Sequence, residues 1–307
     1  MSSLADRVNQ YLELRRGLGY KLEREGRLLP DFVAFVERDG GAHITAERAL
    51  RWATLPAQAT PKWWATRLGM IRELAKYVAA LDPRTEVPSP QLLPTWAPRK
   101  RRPYLYTDAE IVALLRAAQT LDGLKSATYA TLLGLLATTG MRVGEALRLD
   151  RADVDWRERT LLIRHSKFGK SRELPLHPST VEALRRYARQ RDRLLPHPRS
   201  PSFLLSLAGT RLHYKNAHFC FLRLLRLAGL ADRQPRRPRI HDLRHTFALR
   251  TIAEGYRGGL DVPARLSSLS TYLGHVCPSH TYWYLSAAPE LLQLAAGRLD
   301  ETLGALP

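Results

Sequence analysis

Four short stretches of this chain bring together residue types that can do chemistry. The first is Thr139-Gly-Met-Arg142-Val-Gly-Glu145, an arginine just past a helix-ending glycine and three residues ahead of an acid. The second is a polar turn with Lys167 and Lys170, in a chain where only eight of 48 basic residues are lysine. The third is His241-Asp-Leu-Arg244-His245, with two imidazoles one helical turn apart. The fourth is Leu273-Gly-His275, followed nine positions later by Tyr284 within Thr281-Tyr-Trp-Tyr-Leu285. Guanidiniums grip oxyanions through paired hydrogen bonds, whereas an ammonium can also surrender a proton. Imidazoles exchange protons near neutrality, and a phenol becomes a nucleophile once its proton leaves. Taken singly, each stretch has an ordinary reading: an exposed arginine at a helix start, a solvated turn, a surface histidine pair. A His pair at this spacing can bind zinc, but the Glu of H-E-x-x-H is missing and no further ligand cluster follows, so neither a metal nor any other cofactor is expected.

These residues need a scaffold, and the length of 307 residues allows two domains that each bury a core. Residues 1–95 carry apolar positions at helical spacing: Leu4, Val8, Tyr11 and Leu12, then Leu28, Phe32, Phe35 and Val36, then a segment after Thr45, then Leu68, Ile71, Val78 and Leu81. Four short helices in a small bundle are expected. Six prolines between Pro83 and Pro103 dissolve that pattern around the charge run Arg99, Lys100, Arg101 and Arg102, so 96–106 reads as a basic linker and 107–307 as a second domain. The linker reads equally as a solvated spacer or as a segment that contacts a polyanion. The second domain opens with Thr107-Asp-Ala-Glu110, a capping box ahead of Ile111, Val112, Leu114 and Leu115. A helix through Tyr129, Leu132, Leu133, Leu135 and Leu136 stops at Gly140. Residues 160–164 and 172–176 read as two strands of a β-hairpin, and helices resume at 179–194, 214–227 and from His241 onward. The fold class expected is mainly α with a small antiparallel β-sheet.

A formal net charge of +19 and a sequence pI of about 10.5 point to a polyanionic partner. No stretch approaches the roughly 18 apolar residues of a membrane span, and Met1 to Asp6 lacks the basic and apolar regions of a signal peptide. Cys220 and Cys277 form no C-x-x-C pair, which suits a reducing compartment. A cytoplasmic, nucleoid-associated location without membrane contact is therefore expected.

In order along the chain, Arg142, Lys167, His241-x-x-Arg244, His275 and Tyr284 resemble the active-site set of the tyrosine recombinases, or phage integrases, and the resemblance runs over nearly the whole length. It implies an N-terminal core-binding bundle of SAM-like type and a C-terminal catalytic domain that close on a duplex from opposite faces. Arg142 and Arg244 would be the phosphate clamp, Lys167 the hairpin lysine, His241 and His275 the phosphate-contacting histidines, and Tyr284 the nucleophile. Glu145 matches a supporting acidic position. His241 is the expected proton acceptor for the phenol, Lys170 is the alternative to Lys167, and Tyr282 the alternative to Tyr284. The interval from Arg244 to His275 is longer than the family's usual one, with Tyr256 to Val262 resembling an insertion.

The activity implied is site-specific cleavage and rejoining of double-stranded DNA through a 3′-phosphotyrosyl intermediate, independent of metal and ATP, by a tetramer on two recombination sites. Companion recombinases or a directionality factor are further candidate partners. The runs Ser270 to His275 and Tyr282 to Ser286 are similar to those of integrases of transposon-type mobile elements, which implies integration or excision. Two other functions share the chemistry or the fold: DNA relaxation of the type IB topoisomerase kind, separated by the absence of exchange between two sites, and a DNA-binding regulator without catalysis, whose signature would be a missing Arg, His or Tyr.

Overall fold

A computed structural model of the chain describes residues 3–93, 103–164, 171–234, 236–275, 281, 282, 284 and 291–294. The chain divides into two compact units, Met1–Arg101 and Arg102–Pro307, each with a core of its own.

In the first unit four helices, α1 (Leu4–Gly17), α2 (Glu25–Arg38), α3 (Ala46–Thr54) and α4 (Pro61–Ala79), enclose Val8, Leu29, Phe32, Val36, Trp52, Ile71 and Val78. Their starts are written in the sequence: the hydroxyls of Ser3, Thr45 and Thr60 each accept a backbone N–H of the first turn. At the centre Trp52 meets Phe32 edge to face, ring centroids 5.3 Å apart, and the Arg67 guanidinium lies 3.7 Å above the Trp52 ring.

The second unit holds α5 (Asp108–Gln119), α6 (Gly123–Thr139), α7 (Val143–Arg148), β1 (Val154–Asp155), β2 (Thr160–Ile163), β3 (Arg172–Pro175), α8 (Pro178–Leu194), α9 (Tyr214–Leu227), α10 (Asp242–Arg257) and α11 (Val262–Leu273). The expected capping box forms at α5, where Thr107 Oγ1 accepts the Glu110 N–H and Glu110 Oε2 accepts the Thr107 N–H. Helix α6 is apolar almost all round, which makes it the central helix, packed by α5, α8 and α10. It ends at Gly140 in the left-handed conformation, φ +59°. The stretch Tyr256 to Val262 spans the last turn of α10, a short link and the first residue of α11.

The expected hairpin is part of a three-stranded antiparallel sheet, β1-β2-β3, in which β2 and β3 pair from Thr160↔Pro175 to Ile163↔Arg172. The turn residues Lys167 and Lys170 lie outside the described residues, as do Arg99, Lys100, Arg101 and Arg102. Beyond α11, residues 281, 282, 284 and 291–294 are helical, and Tyr284 and Leu291 join the apolar cluster between α10 and α11.

Candidate active site

Two helix C-termini define the floor of the site. Helices α6 and α11 both end on a left-handed glycine, Gly140 and Gly274, which leaves their last carbonyls without helical partners. Those oxygens sit at the negative end of each helix dipole, a natural seat for a cation. Arg244, on the first turn of α10, donates from Nη1 to the Gly140 carbonyl and from Nη2 to the Leu273 carbonyl, each at 2.8 Å. Arg142, just ahead of α7, donates from Nη2 to the Gly274 carbonyl at 2.8 Å. Each guanidinium is thus locked by backbone on one edge, and with five N–H donors it keeps others for an oxyanion.

Glu145 fixes the second arginine. Its carboxylate accepts the Arg142 backbone N–H at 2.9 Å, which caps α7, and the Arg142 Nη1 at 2.8 Å. The same carboxylate takes a two-point contact from Arg172, 2.9 and 3.2 Å, while Arg172 Nε reaches the Tyr272 carbonyl at 2.9 Å. The Glu145 side chain is 1% exposed. Burial pushes its pKa up, but hydrogen bonds from Arg172 and the Arg142 backbone and the nearby positive charges outweigh that and hold it at about 2. Arg172 closes the ladder with Ile163, so the strands flanking the lysine turn are rooted at this arginine pair.

The Tyr284 ring is buried, 2% exposed, with its hydroxyl 3.1 Å from Nδ1 of His245. The His245 ring centroid lies 5.5 Å from that of Tyr284, and the His275 ring stacks on Tyr284 at 6.2 Å. His275 is itself held by the Thr281 hydroxyl, 2.7 Å from its Nδ1. His241 stands at the start of α10 with its ring edge-on to His245, centroids 4.9 Å apart. Burial raises the Tyr284 pKa, and the charge and hydrogen bond of Arg244 together with the Arg142 charge pull it part of the way back. Burial, His241 and the surrounding arginines push His245 down to about 3, so its imidazole is neutral at physiological pH. His241 is displaced in the same direction by desolvation and Arg244. Burial and the Arg142 charge bring Arg244 down to about 10, still cationic at neutrality.

The structure therefore brings Arg142, Arg244, His241, His275 and Tyr284 into one cluster from three of the four stretches. Tyr282 is 54% exposed, whereas Tyr284 is inside the cluster. Four participants were not assigned to this site by the sequence: Arg172, His245 and two backbone carbonyls. Arg172 read as an ordinary strand residue, and its reach to Glu145 depends on strand register. His245 read as one of a helix-face histidine pair whose zinc reading was set aside for want of further ligands, yet its Nδ1 lies at hydrogen-bond distance from the phenol. The carbonyls of Gly140 and Gly274 were foreshadowed only by the glycines themselves. Chemically, the arrangement presents cations, neutral imidazoles and one phenol to an incoming oxyanion, which suits phosphoryl transfer to tyrosine.

Residues 105–290 match the phage integrase family model. An integrase/recombinase of Sinorhizobium fredii, y4rB, is 45% identical over 308 residues, 98% of this chain and 98% of that protein. The tyrosine recombinase XerD of Caulobacter vibrioides is 30% identical over 235 residues, 76% of this chain and 73% of the relative. Among solved structures, the Tn1549 transposon integrase in complex with transposon right-end DNA superposes with a TM-score of 0.68 at 17% identity, over 99% of this chain and 100% of that one. The XerH site-specific recombinase bound to its palindromic difH substrate gives 0.63 at 18% identity, over 91% and 78%. At these identities the structural likeness speaks for the fold.

Proposed function

Since the chain belongs to the phage integrase family, the tyrosine recombinases, we propose that it cuts one DNA strand by attack of the Tyr284 hydroxyl on a phosphodiester, forming a 3′-phosphotyrosyl bond. The Tyr284 oxygen bonds to phosphorus as its proton passes to His241, the bond to the 5′ oxygen breaks as that oxygen is protonated, and a 5′ hydroxyl from a partner duplex later reverses the step. Arg142 and Arg244 clamp the non-bridging oxygens, where each preorganised donor contributes on the order of 3 to 4 kcal/mol to the transition state. His241 and His275 add contacts to the same phosphate. Lys167 protonates the departing 5′ oxygen, because an ammonium gives up a proton more readily than a delocalised guanidinium. Because the phosphotyrosyl bond keeps the energy of the bond it replaces, the cycle uses no ATP, and with guanidiniums neutralising the phosphoryl group it uses no metal.

The observation that carries this reading is the buried Tyr284 hydroxyl, set beside His245, His275 and the charge of Arg244. The basic run Arg99, Lys100, Arg101 and Arg102 between domains 1–95 and 107–307 supports a contact with the DNA backbone, where the net charge of +19 also acts. Tetrameric action on two specific sites follows the family's pattern. The resemblance of the runs Ser270 to His275 and Tyr282 to Ser286 to those of mobile-element integrases supports integration or excision of a mobile element.

Incubation with a nicked suicide substrate followed by denaturing gel electrophoresis tests the proposal. The unaltered protein is expected to give a covalent protein–DNA adduct and Tyr284→Phe none. An adduct that persists in Tyr284→Phe would move the nucleophile to Tyr282.

A further inference from the structure

Inside the candidate site, one imidazole outside the inherited set touches the atom that must react. His245 follows Arg244 directly in α10, and its Nδ1 lies 3.1 Å from the Tyr284 hydroxyl. We propose that His245 is a positioning residue for the nucleophile: as the acceptor of the Tyr284 O–H it fixes the hydroxyl rotor, so that an oxygen lone pair faces the phosphate held by the arginines. The idea rests on Tyr284 being the nucleophile.

The charges around the contact favour one polarity. The phenol oxygen lies under the influence of the Arg244 guanidinium, which can only donate, so the phenol accepts there and its single proton is directed elsewhere. A neutral imidazole protonated on Nε2 offers Nδ1 as the acceptor, and burial among positive neighbours keeps His245 neutral. The same displacement makes His245 a weak base, since general-base catalysis works best when the pKa lies near the working pH. Holding the hydroxyl in one rotamer is therefore the role the environment suits. A free hydroxyl in a buried pocket would otherwise point its proton at any acceptor, including the incoming phosphate, and the attacking lone pair would be misaligned. Helix α10 performs both tasks at once, with Arg244 aimed at the α6 and α11 carbonyls and His245 aimed at the phenol.

Single-turnover cleavage of the nicked suicide substrate is compared among the unaltered protein, His245→Asn, His245→Gln and His245→Leu, with non-covalent DNA affinity and melting temperature measured for each. Asparagine places its amide oxygen close to where Nδ1 sits, and glutamine places its amide nearer to Nε2. The expected result is cleavage within about threefold of the unaltered protein for Asn, and a loss of roughly ten- to a hundredfold for Leu and Gln, the size of one well-aligned hydrogen bond. DNA affinity should stay unchanged throughout. A Leu variant as fast as the unaltered protein overturns the role, as does an Asn variant as slow as Leu. If Leu fails to fold, the Asn and Gln pair decides, and equal rates overturn it. An unaltered protein that forms no adduct removes the nucleophile assignment, and this role with it.

Discussion

Glu145 carries one negative charge between two guanidiniums, and the site's geometry turns on it. Removing the charge while keeping the shape, Glu145→Gln, leaves Arg142 and Arg172 facing each other without compensation. Breaking a buried pair of this kind costs about 3 kcal/mol, and with Arg142 displaced DNA cleavage should fall more than tenfold; urea unfolding and single-turnover cleavage measure the two effects. The pH sign follows from the carboxylate being held at about 2 in the folded protein against an ordinary value of 4.5. The unfolded state binds more protons between these values, so the stabilisation is complete above pH 4.5 and disappears as pH falls from 4.5 towards 2. Glu145→Gln should flatten that part of the stability curve, and an unchanged acid slope would show that the carboxylate is not the acid-sensitive group. At this scale the sequence was informative where type and spacing coincide, as with Arg142, Arg244, His275 and Tyr284. It was silent on Arg172, whose contact spans 27 positions and is created by the pairing of two strands.

At the scale of elements, the two left-handed glycines do different jobs. A Cβ on Gly140 would lie 2.3 Å from Cδ1 of Phe247 and 3.2 Å from Cδ2 of Leu273, in the packed core of α10 and α11. On Gly274 it would meet the Arg172 guanidinium at 2.8 Å, the far end of a flexible side chain. Both positions have φ near +60°, which adds about 1 kcal/mol of backbone strain for alanine. Gly140→Ala should therefore destabilise by about 3 kcal/mol, the extra coming from overpacking, and Gly274→Ala by about 1 kcal/mol. Thermal melts would check the order, and the reverse order would mean that the Arg172 seat is the rigid one. Helix starts and stops were legible at this scale because Thr107 with Glu110, and Gly140, act within a few residues of themselves. Strand β1 was not: Val154 and Asp155 are too few to show alternation, and their pairing with Leu161 and Thr160 is imposed from outside. The role of the two helix ends as arginine seats was hidden for the same reason, since Gly140 and Arg244 are distant in sequence.

For the whole molecule, a chain with 48 basic and 29 acidic residues divides into two compact units, and the residues proposed as catalytic all belong to the second. Among the described residues no helix is long and apolar enough to cross a membrane. Net charge alone indicated a polyanion, and only the spacing of Arg, His and Tyr narrowed that to a scissile phosphate; the DNA sequence read by the protein is not encoded in either, because base recognition depends on side-chain placement and on DNA shape. The central claim is that side chains spread from Arg142 to Tyr284 act on a single phosphate through one phenol. Its most direct measurement is mass spectrometry of the peptide released by protease digestion of the protein trapped on a nicked suicide substrate. A nucleotide joined through its 3′ phosphate to Tyr284 is the expected product; a nucleotide on Tyr282, or one joined through a 5′ phosphate, would contradict the claim.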